Sequence, residues 1–409
     1  MRKIMAVIDI GSKNTKLLVG EMTNNKFNTL SISESETKGI KKGQITSEEE
    51  LQATIETVLN DSESKLNLPI KKLIAIIPSY DLEFTIGEAK IEIESETIKG
   101  SDISRSILES YKGIVPDNME LVNAIPMSFK LDNNEVVNDP KNMISKTLSI
   151  KTLLMMSPKN NVYKILSILD KLNLDIVDIS IDAVGDYYTF KNDKTNKGVT
   201  AIINIGHSKT TISIFNKGII TNLSNIEIGS RNIDNDIAYI YKVDLNTAIK
   251  LKEEFAFAHP SLSSIKDDIE VLSKDNKTVV INNQEISKVV YSRLKEILQK
   301  TKKELNHLTK REINYIIVTG GITEMSGFEK TLNSVYQKSA SVGIINELGV
   351  RNNKYSSVIG LIKWYNELEL LKDKDYSIFS LDEQQEFSGI SNKVDNDSVI
   401  NKFFSYFID

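Results

Sequence analysis

The chain has 409 residues but no cysteine, one tryptophan and only three histidines. Without cysteine it can form no disulfide, thiolate nucleophile or cysteine-ligated zinc site, and a reducing cytosol is its simplest home. The scattered histidines argue against a histidine-ligated metal. No run of about 18 apolar residues occurs, so the sequence predicts no membrane-spanning helix. Its 51 basic and 56 acidic residues give a net charge of −5, which argues against a nucleic-acid-binding protein.

The sequence repeats one strand–turn–strand pattern in its two halves. The apolar run Ile4–Ile10 is interrupted by the polar turn 11–14, and a second strand follows. The run Val199–Ile205 opens the second half in the same way, with a polar tip beginning at Gly206. Because the repeat spacing is roughly 195 residues, it predicts duplicated domains rather than a solenoid. The polar stretch 191–197 is the predicted boundary between them.

The first turn contains residues suited to a magnesium triphosphate. Asp9 stands at the end of the strand, and Gly11 and Ser12 follow, where a glycine allows backbone N–H groups to approach phosphate oxygens. Asp9 could hold Mg²⁺ through water, because this ion keeps several of its waters. Lys16 could reach a phosphate as a point charge. Taken alone, the turn could equally be an ordinary hairpin.

Two further elements support a nucleotide site. The second turn, which contains Asn204, Gly206 and Thr210, matches the first in position. Two such hairpins facing each other across a cleft can hold one nucleotide from both sides. A third strand ends in Gly320 and Gly321, which permit close approach of a base or ribose where a Cβ would clash. Each element is common alone, but the three in this order predict a nucleotide-binding cleft.

The order of these loops resembles that of the superfamily of actin, sugar kinases and heat-shock chaperone ATPases. Within it the chain is most similar to the FtsA family of bacterial division proteins, through the stretches 38–45, Gly229 with 236–238, and 357–361. This resemblance implies an α/β, actin-like fold of two duplicated ribonuclease-H-like halves. It also implies ATP and Mg²⁺ in the cleft and a family-specific α+β inserted subdomain.

The resemblance divides the chain into subdomains. They are a first actin-like subdomain at 1–80 and 160–195 with 355–370 returning to it, an inserted subdomain at 81–159, a second actin-like subdomain at 196–226 and 307–354, a small partner-binding subdomain at 227–306, a flexible linker at 371–396 and an amphipathic helix at 397–409.

The resemblance also implies which residues contact the nucleotide. They are Asp9, Gly11, Ser12 and Lys16 in the first loop, Gly206 and Thr210 in the second, and Gly229, Lys252, Gly320 and Gly321 around the nucleoside. Asn204, however, stands where most superfamily members have an aspartate that helps bind magnesium and place the attacking water, and an amide cannot accept that proton. Asp182 is then the nearest candidate to orient a water. Since losing one such group costs roughly 10²- to 10³-fold in rate, we expect ATP binding with weak or absent hydrolysis.

The end of the sequence predicts an amphipathic helix. At about 100° per residue the apolar side chains of 398–409 fall on one arc and the polar ones on the other. The apolar arc includes Val399, Ile400, Phe403, Phe404 and Phe407. After a polar linker, such a helix indicates a peripheral anchor on the inner face of the cytoplasmic membrane. The alternative is a helix docked on the protein's own core.

The resemblance to the FtsA family, together with the tail helix, implies an ATP-binding, filament-forming adaptor that ties FtsZ polymers to the membrane at the division site. The resemblance implies that the subdomain 227–306 receives the acidic C-terminal peptide of FtsZ. Lys288, Arg293 and Lys300 are the candidate cations, although a solvated helix face explains them equally well. Two alternatives remain. One is a small-molecule kinase or phosphatase of the superfamily, for which we find no motif, and the other is an MreB-type shape-determining ATPase, against which the tail helix speaks.

Overall fold

A computed structural model describes residues 2–24, 26–41 and 44–384. The strands are β1 Lys3–Ile10, β2 Asn14–Thr23, β3 Lys26–Glu36, β4 Ile40–Lys41, β5 Gln44–Ile45, β6 Lys72–Ile77, β7 Glu83–Glu92, β8 Met119–Lys130, β9 Val136–Val137, β10 Thr147–Pro158, β11 Asp175–Ile181, β12 Val199–Ile205, β13 Thr210–Asn216, β14 Ile219–Ile226, β15 Asp268–Leu272, β16 Thr278–Asn282, β17 Tyr315–Thr319 and β18 Ala340–Val342. The α-helices are α1 Glu48–Leu66, α2 Gly100–Tyr111, α3 Lys159–Lys171, α4 Asp182–Phe190, α5 Ser230–Tyr241, α6 Leu245–Lys250, α7 Asn283–Leu308, α8 Phe328–Tyr336 and α9 Ser356–Leu371. A π-helical turn covers Leu251–Phe255, and short 3₁₀ turns cover Pro260–Leu262, Gly321–Glu324 and Asn353–Tyr355.

Two five-stranded sheets share one arrangement. The first has the order β11-β6-β1-β2-β3 and the second β18-β17-β12-β13-β14. In each sheet three strands form an antiparallel meander, and two more add in parallel beside its first strand. The predicted strands at the start of the two halves therefore occupy equivalent central positions. This confirms the duplicated α/β architecture.

The central strands are buried on both faces, as continuous apolar runs predict. Residues 4–8 of β1 and 201–203 of β12 are almost fully inaccessible to solvent. Helices α4 and α9 contribute to a core shared with side chains of both sheets, and they cross closely. A Cβ at Gly360 would stand 1.6 Å from the carbonyl oxygen of Gly185, so the crossing requires a glycine. The cleft lies at the ends of β1 and β12.

The segment predicted as an α+β insertion, 81–159, forms its own sheet of order β7-β10-β8-β9. Helix α2 covers one face of this sheet, and side chains such as Ile103 and Phe129 form a separate core there. The small subdomain contains α5, α6, the hairpin β15–β16 and the long helix α7. The subdomain divisions that the resemblance implied remain a prediction.

The segment 371–396, expected to be a flexible linker, is packed in the part that the structure describes. The backbone N–H of Ile378 donates to the carbonyl of Ile4 at 2.8 Å, and Ile378 and Phe379 are buried against the first sheet. Asp373 accepts the N–H of Gly100 at 3.0 Å. The expectation is corrected up to residue 384, because two apolar side chains in a polar stretch find buried positions. Residues 385–396 lie outside the described residues.

The predicted helix 397–409 also lies outside the described residues, as do its five named apolar side chains, Val399, Ile400, Phe403, Phe404 and Phe407. Among the helices that are described, none combines the length and hydropathy needed to cross a bilayer.

Candidate nucleotide-binding cleft

The β1–β2 turn and the β12–β13 turn face each other and have the same backbone pattern. In the first, the N–H of Gly11 donates to the carbonyl of Asn14 at 3.2 Å, and in the second, Gly206 donates to Lys209 at 3.0 Å. The Ser208 hydroxyl donates to the Ser12 hydroxyl across the gap at 2.9 Å. A cavity of about 760 Å³ lies at this junction. Its size falls within the range of small-molecule and cofactor sites.

Ten of the twelve predicted catalytic and nucleotide-contacting residues line this cavity. They are Asp9, Gly11, Ser12, Lys16, Asp182, Asn204, Gly206, Lys252, Gly320 and Gly321. Thr210 and Gly229 do not line it. The Thr210 hydroxyl is buried and donates to the carbonyl of Ile228 at 2.7 Å. A Cβ at Gly229 would stand 2.6 Å from the carbonyl oxygen of Gly206, so both residues support the second loop from behind.

Asp9 and Lys16 form an ion pair beside the first loop. Lys16 Nζ lies 2.9 Å from Asp9 Oδ2, and both side chains are mostly buried. Burial by itself would lower the pKa of Lys16, but the Asp9 carboxylate and its hydrogen bond raise it above the ordinary value. Lys16 therefore stays charged, as a phosphate contact requires. Its partner is the carboxylate that we had assigned to magnesium.

Asn204 is held by a buried aspartate that sequence reasoning missed. Its Nδ2 donates to Asp186 Oδ2 at 2.7 Å, and the hydroxyls of Ser356 and Ser357 donate to Asp186 Oδ1 at 2.6 and 2.9 Å. Burial, followed by the nearby charge of Asp182, raises the pKa of Asp186 to about 7. Helical spacing was the available signal, because Asp186 lies one turn after Asp182 on α4.

Asp182 lines the cleft and has polar neighbours from the second sheet. Its Oδ2 accepts the Thr211 hydroxyl at 3.3 Å and lies 3.9 Å from Lys209 Nζ. Lys209, a second residue that we had not singled out, donates to the Ser79 hydroxyl at 2.7 Å. Its ammonium also lies 4.4 Å from the ring centroid of Tyr80. Lys209 thus extends from the second loop to the segment after β6, which belongs to the other half.

Lys252 lines the cavity from the π-helical turn, and its charge is already balanced. Its Nζ lies 2.6 Å from Asp234 Oδ1, and both side chains are almost fully buried. Burial raises the pKa of Asp234 even though Lys252 opposes this. The next residue, Glu253, pairs with Lys13 of the first loop at 2.6 Å. The small subdomain therefore contacts the β1–β2 turn directly.

His207 lies at the tip of the second loop and is neutral at physiological pH. Burial, followed by the positive charges of Lys252 and Lys13, lowers the pKa of His207 to about 4. A neutral imidazole adds no positive charge to this part of the cleft.

The two glycines after β17 have different roles. Gly320 has φ +103°, and a Cβ there would stand 2.4 Å from the carbonyl oxygen of Ile205. A Cβ at Gly321 would only reach ordinary contact with Lys354, at 3.5 Å. Gly320 is therefore required by close packing against the second loop, whereas Gly321 leaves space toward the cavity for a ligand.

The carboxylates of the cleft provide a poor site for Mg²⁺. Among the described residues that line the cavity, four of the five carboxylates have a lysine within ion-pair range. The pairs are Asp9–Lys16, Glu34–Lys354, Asp182–Lys209 and Glu253–Lys13. The fifth, Glu324, accepts the backbone N–H of Asn353 at 2.8 Å. No group of three or more potential metal ligands occurs in the part of the chain that the structure describes, so these residues do not form a site that holds magnesium by several protein ligands.

The three candidate cations of α7 do not form one open cluster. Arg293 donates to both carboxylate oxygens of Asp236, at 2.6 and 2.8 Å, and also pairs with Glu296. Lys300 pairs with Glu296 at 2.9 Å, whereas Lys288 is exposed. Two of the three therefore already have carboxylate partners, and for Arg293 one of these partners is on α5.

The fold and the cleft define an actin-like protein with two duplicated halves, and solved structures of this class resemble it. The PilM–PilN type IV pilus biogenesis complex aligns with a TM-score of 0.57 at 10% identity, covering 88% of this chain and 97% of the other. MreB5 of Spiroplasma citri bound to ADP aligns with a TM-score of 0.54 at 12% identity, covering 91% and 99%. These likenesses confirm the predicted fold.

Sequence comparison then identifies the family. A family model described as "Cell division protein FtsA" matches residues 201–360, and one described as "SHS2 domain inserted in FTSA" matches 81–156. Together they span more than half of the chain. The cell division protein FtsA of Bacillus subtilis (strain 168) is 28% identical over 363 residues, covering 87% of this chain and 82% of the relative. The chain belongs to the FtsA family, as the sequence resemblance indicated.

Proposed function

We propose that the chain is an ATP-binding division protein that polymerises and tethers FtsZ filaments to the inner face of the cytoplasmic membrane at the division site. Membership of the FtsA family supports the division role. The observation that carries the nucleotide part is the paired cleft, in which two equivalent turns meet at Ser12 and Ser208. An actin-like relative, MreB5 of Spiroplasma citri, was solved bound to ADP.

We expect ATP turnover to be weak or absent. The position of Asn204 carries an amide, and Asp186, which binds that amide, does not line the cavity. Asp182 remains the candidate to orient a water, and Lys209 Nζ lies 3.9 Å from it. Losing a pre-placed catalytic group costs roughly 10²- to 10³-fold. Steady phosphate release at ordinary kinase rates would instead favour the kinase or phosphatase alternative.

We propose that the nucleotide contacts those residues that were predicted from the sequence and that also line the cavity. Asp9 stays the one first-loop carboxylate that could touch Mg²⁺, and only through water.

Membrane attachment is proposed from the sequence of 397–409 alone. Flotation of the full chain with vesicles, compared with a deletion of 399–409, tests it. Phe403→Asp places a charge on the apolar arc of the predicted helix. Its matched control is Ser405→Asp, which places the same charge on the polar arc. We expect the deletion and Phe403→Asp to stay unbound and Ser405→Asp to float. Equal flotation of all four forms would contradict the anchor.

Tethering of FtsZ is proposed for the small subdomain, with Lys288, Arg293 and Lys300 as candidate cations. Co-sedimentation with FtsZ filaments, with and without ATP, is the decisive test of the adaptor role. Lys288→Glu reverses an exposed charge on α7, and Lys266→Glu reverses an exposed charge elsewhere in the same subdomain. We expect only the first change to reduce co-sedimentation. If the unmodified chain stays in the supernatant with FtsZ filaments, the adaptor role is wrong.

A further inference from the structure

Lysine side chains from both halves of the chain line the cleft. Among the described residues, six lysines and five carboxylates line the cavity. The lysines are Lys13, Lys16, Lys164, Lys209, Lys252 and Lys354. His207 adds no charge, because its pKa is lowered to about 4, and Lys252 is already paired with Asp234. A bound polyanion would therefore have to draw on lysines whose contacts can change partner.

Lys209 is the lysine best placed to act between the two halves. Its backbone belongs to the second phosphate loop, where its carbonyl accepts the N–H of Gly206. Its ammonium group lies in the other half, bonded to the Ser79 hydroxyl and above the ring of Tyr80. The side chain therefore crosses the cleft. Its contact with Asp182 is loose, at 3.9 Å, so a phosphate oxygen can replace that carboxylate as its partner.

Asp9 and Asp182, the carboxylates best placed to recruit a divalent cation, each have a lysine nearby. Asp9 is bonded to Lys16, and Asp182 lies within ion-pair range of Lys209. A hard cation such as Mg²⁺ would have to compete with an ammonium group at each position. A lysine ammonium group, in contrast, is held in the cleft by its own side chain and needs no carboxylate ligand.

We propose that lysine side chains, with Lys209 foremost, supply the countercharge for the bound nucleoside polyphosphate, so that nucleotide affinity is nearly independent of Mg²⁺. An ammonium group binds phosphate as a compact point charge. Lys16 approaches from the first loop and Lys209 from the second, so the phosphates are neutralised from both sides. This inference rests on the proposed nucleotide-binding function.

Calorimetric titration of the full chain with ATP, in excess Mg²⁺ and in EDTA, tests the proposal. For the unmodified chain we expect the two dissociation constants to agree within about threefold, because fixed ammonium groups already offset the phosphate charge. Lys209→Met should weaken binding in EDTA by at least about tenfold, the loss expected for one charge-assisted hydrogen bond. Excess Mg²⁺ should recover most of that loss in the variant.

Two further variants keep the result interpretable. Lys209→Arg retains the charge and should retain binding in EDTA. Lys26→Met removes an exposed lysine at the far end of the first sheet and should leave binding unchanged. The thermal unfolding of Lys209→Met without nucleotide shows whether the variant is folded.

Each of the other possible results would contradict one specific part of the proposal. If the unmodified chain binds ATP only with Mg²⁺, the lysine countercharge is wrong and nucleotide binding stands. If Lys209→Met binds in EDTA as the unmodified chain does, Lys209 is not the residue responsible. If no ATP binds under either condition, the proposed function itself fails.

Discussion

The β1–β2 and β12–β13 turns at the cleft have the same backbone pattern. They differ in the partner of the acidic or amide residue at the end of the preceding strand. In the first loop the strand carries Asp9, whose charge is matched by Lys16 on the neighbouring strand. In the second the strand carries Asn204, whose amide binds the buried carboxyl group of Asp186. The first loop therefore has its negative charge at the cavity, and the second has it one layer behind. Asp9 pairs with a lysine, and Asn204 pairs with a carboxyl group. Exchanging Asp9 and Asn204 would therefore place each beside an unsuitable partner.

The largest loss of stability is expected when the second loop is given the aspartate of the first. Asn204→Asp would place two carboxyl groups 2.7 Å apart, with no cation between them. We expect the free energy of unfolding at pH 8 to fall by about 3 kcal/mol, because one buried charge is left uncompensated. Urea unfolding measures this.

The matched control for that change is the double variant Asn204→Asp with Asp186→Asn, which exchanges the two groups. It should recover most of the loss. A single Asn204→Asp variant as stable as the unmodified chain would show that the two loops are interchangeable.

The pH dependence of stability should report the buried carboxyl of Asp186. Its pKa is about 7 in the folded chain, against an ordinary value of 3.8. Between about pH 4 and pH 7 the unfolded chain releases this proton while the folded chain keeps it. The unfolded state then binds fewer protons, so the contribution of this group makes the free energy of unfolding fall as the pH rises, and it levels off above pH 7.

Asp186→Asn should remove that part of the slope. Thermal unfolding of both forms at several pH values is the measurement. An identical slope in the two forms would mean that Asp186 is ionised at ordinary pH.

A smaller effect is expected at the glycine that packs on the second loop. Gly320→Ala forces a positive φ on alanine and brings its Cβ to 2.4 Å from the carbonyl oxygen of Ile205. We expect a loss of about 1–3 kcal/mol in the free energy of unfolding. Gly321→Ala is the matched control, since its Cβ meets only ordinary contact. Comparable losses at the two glycines would contradict the close packing of β17 on the second loop.

The smallest change in stability is expected at the ion pair between the first loop and the small subdomain. Lys13 and Glu253 are 2.6 Å apart, but their side chains are 35% and 50% exposed. Exposed ion pairs contribute about 0–1 kcal/mol, so Lys13→Ala should leave the unfolding midpoint in urea nearly unchanged. A loss of stability as large as that of Gly320→Ala would contradict this expectation. It would show that the Lys13–Glu253 pair stabilises the first loop as strongly as close packing stabilises the second.

The strands that carry the site could be predicted from the sequence. The apolar runs 4–10 and 199–205 become β1 and β12 with closely matching bounds. The polar turns after them become the facing loops, because a short polar tip between two apolar runs has few other solutions. Of the twelve residues expected to be catalytic or to contact nucleotide, Thr210 and Gly229 do not line the cavity. Their places depend on packing behind the second loop, which no local pattern reports.

The residues that were missed show the limit of local patterns. Asp186 was passed over although it lies one helical turn after Asp182, because that spacing alone does not show that the side chain is buried beside Asn204. Lys209 stands within the loop that we had singled out, yet a lysine in a turn usually indicates a solvated surface. Only the fold shows that its side chain crosses to Ser79.

The sequence alone determined the repeated strand–turn–strand units, their order and the amide at position 204, because these are properties of adjacent residues. The tertiary structure decided which charge faces which. Asn204 meets a carboxyl group 18 positions earlier, and that carboxyl meets a serine 170 positions later. Such pairings form only when the helix between the sheets is packed in place. The same packing buries Asp186 and raises its pKa, so the electrostatic difference between the two loops arises with the fold.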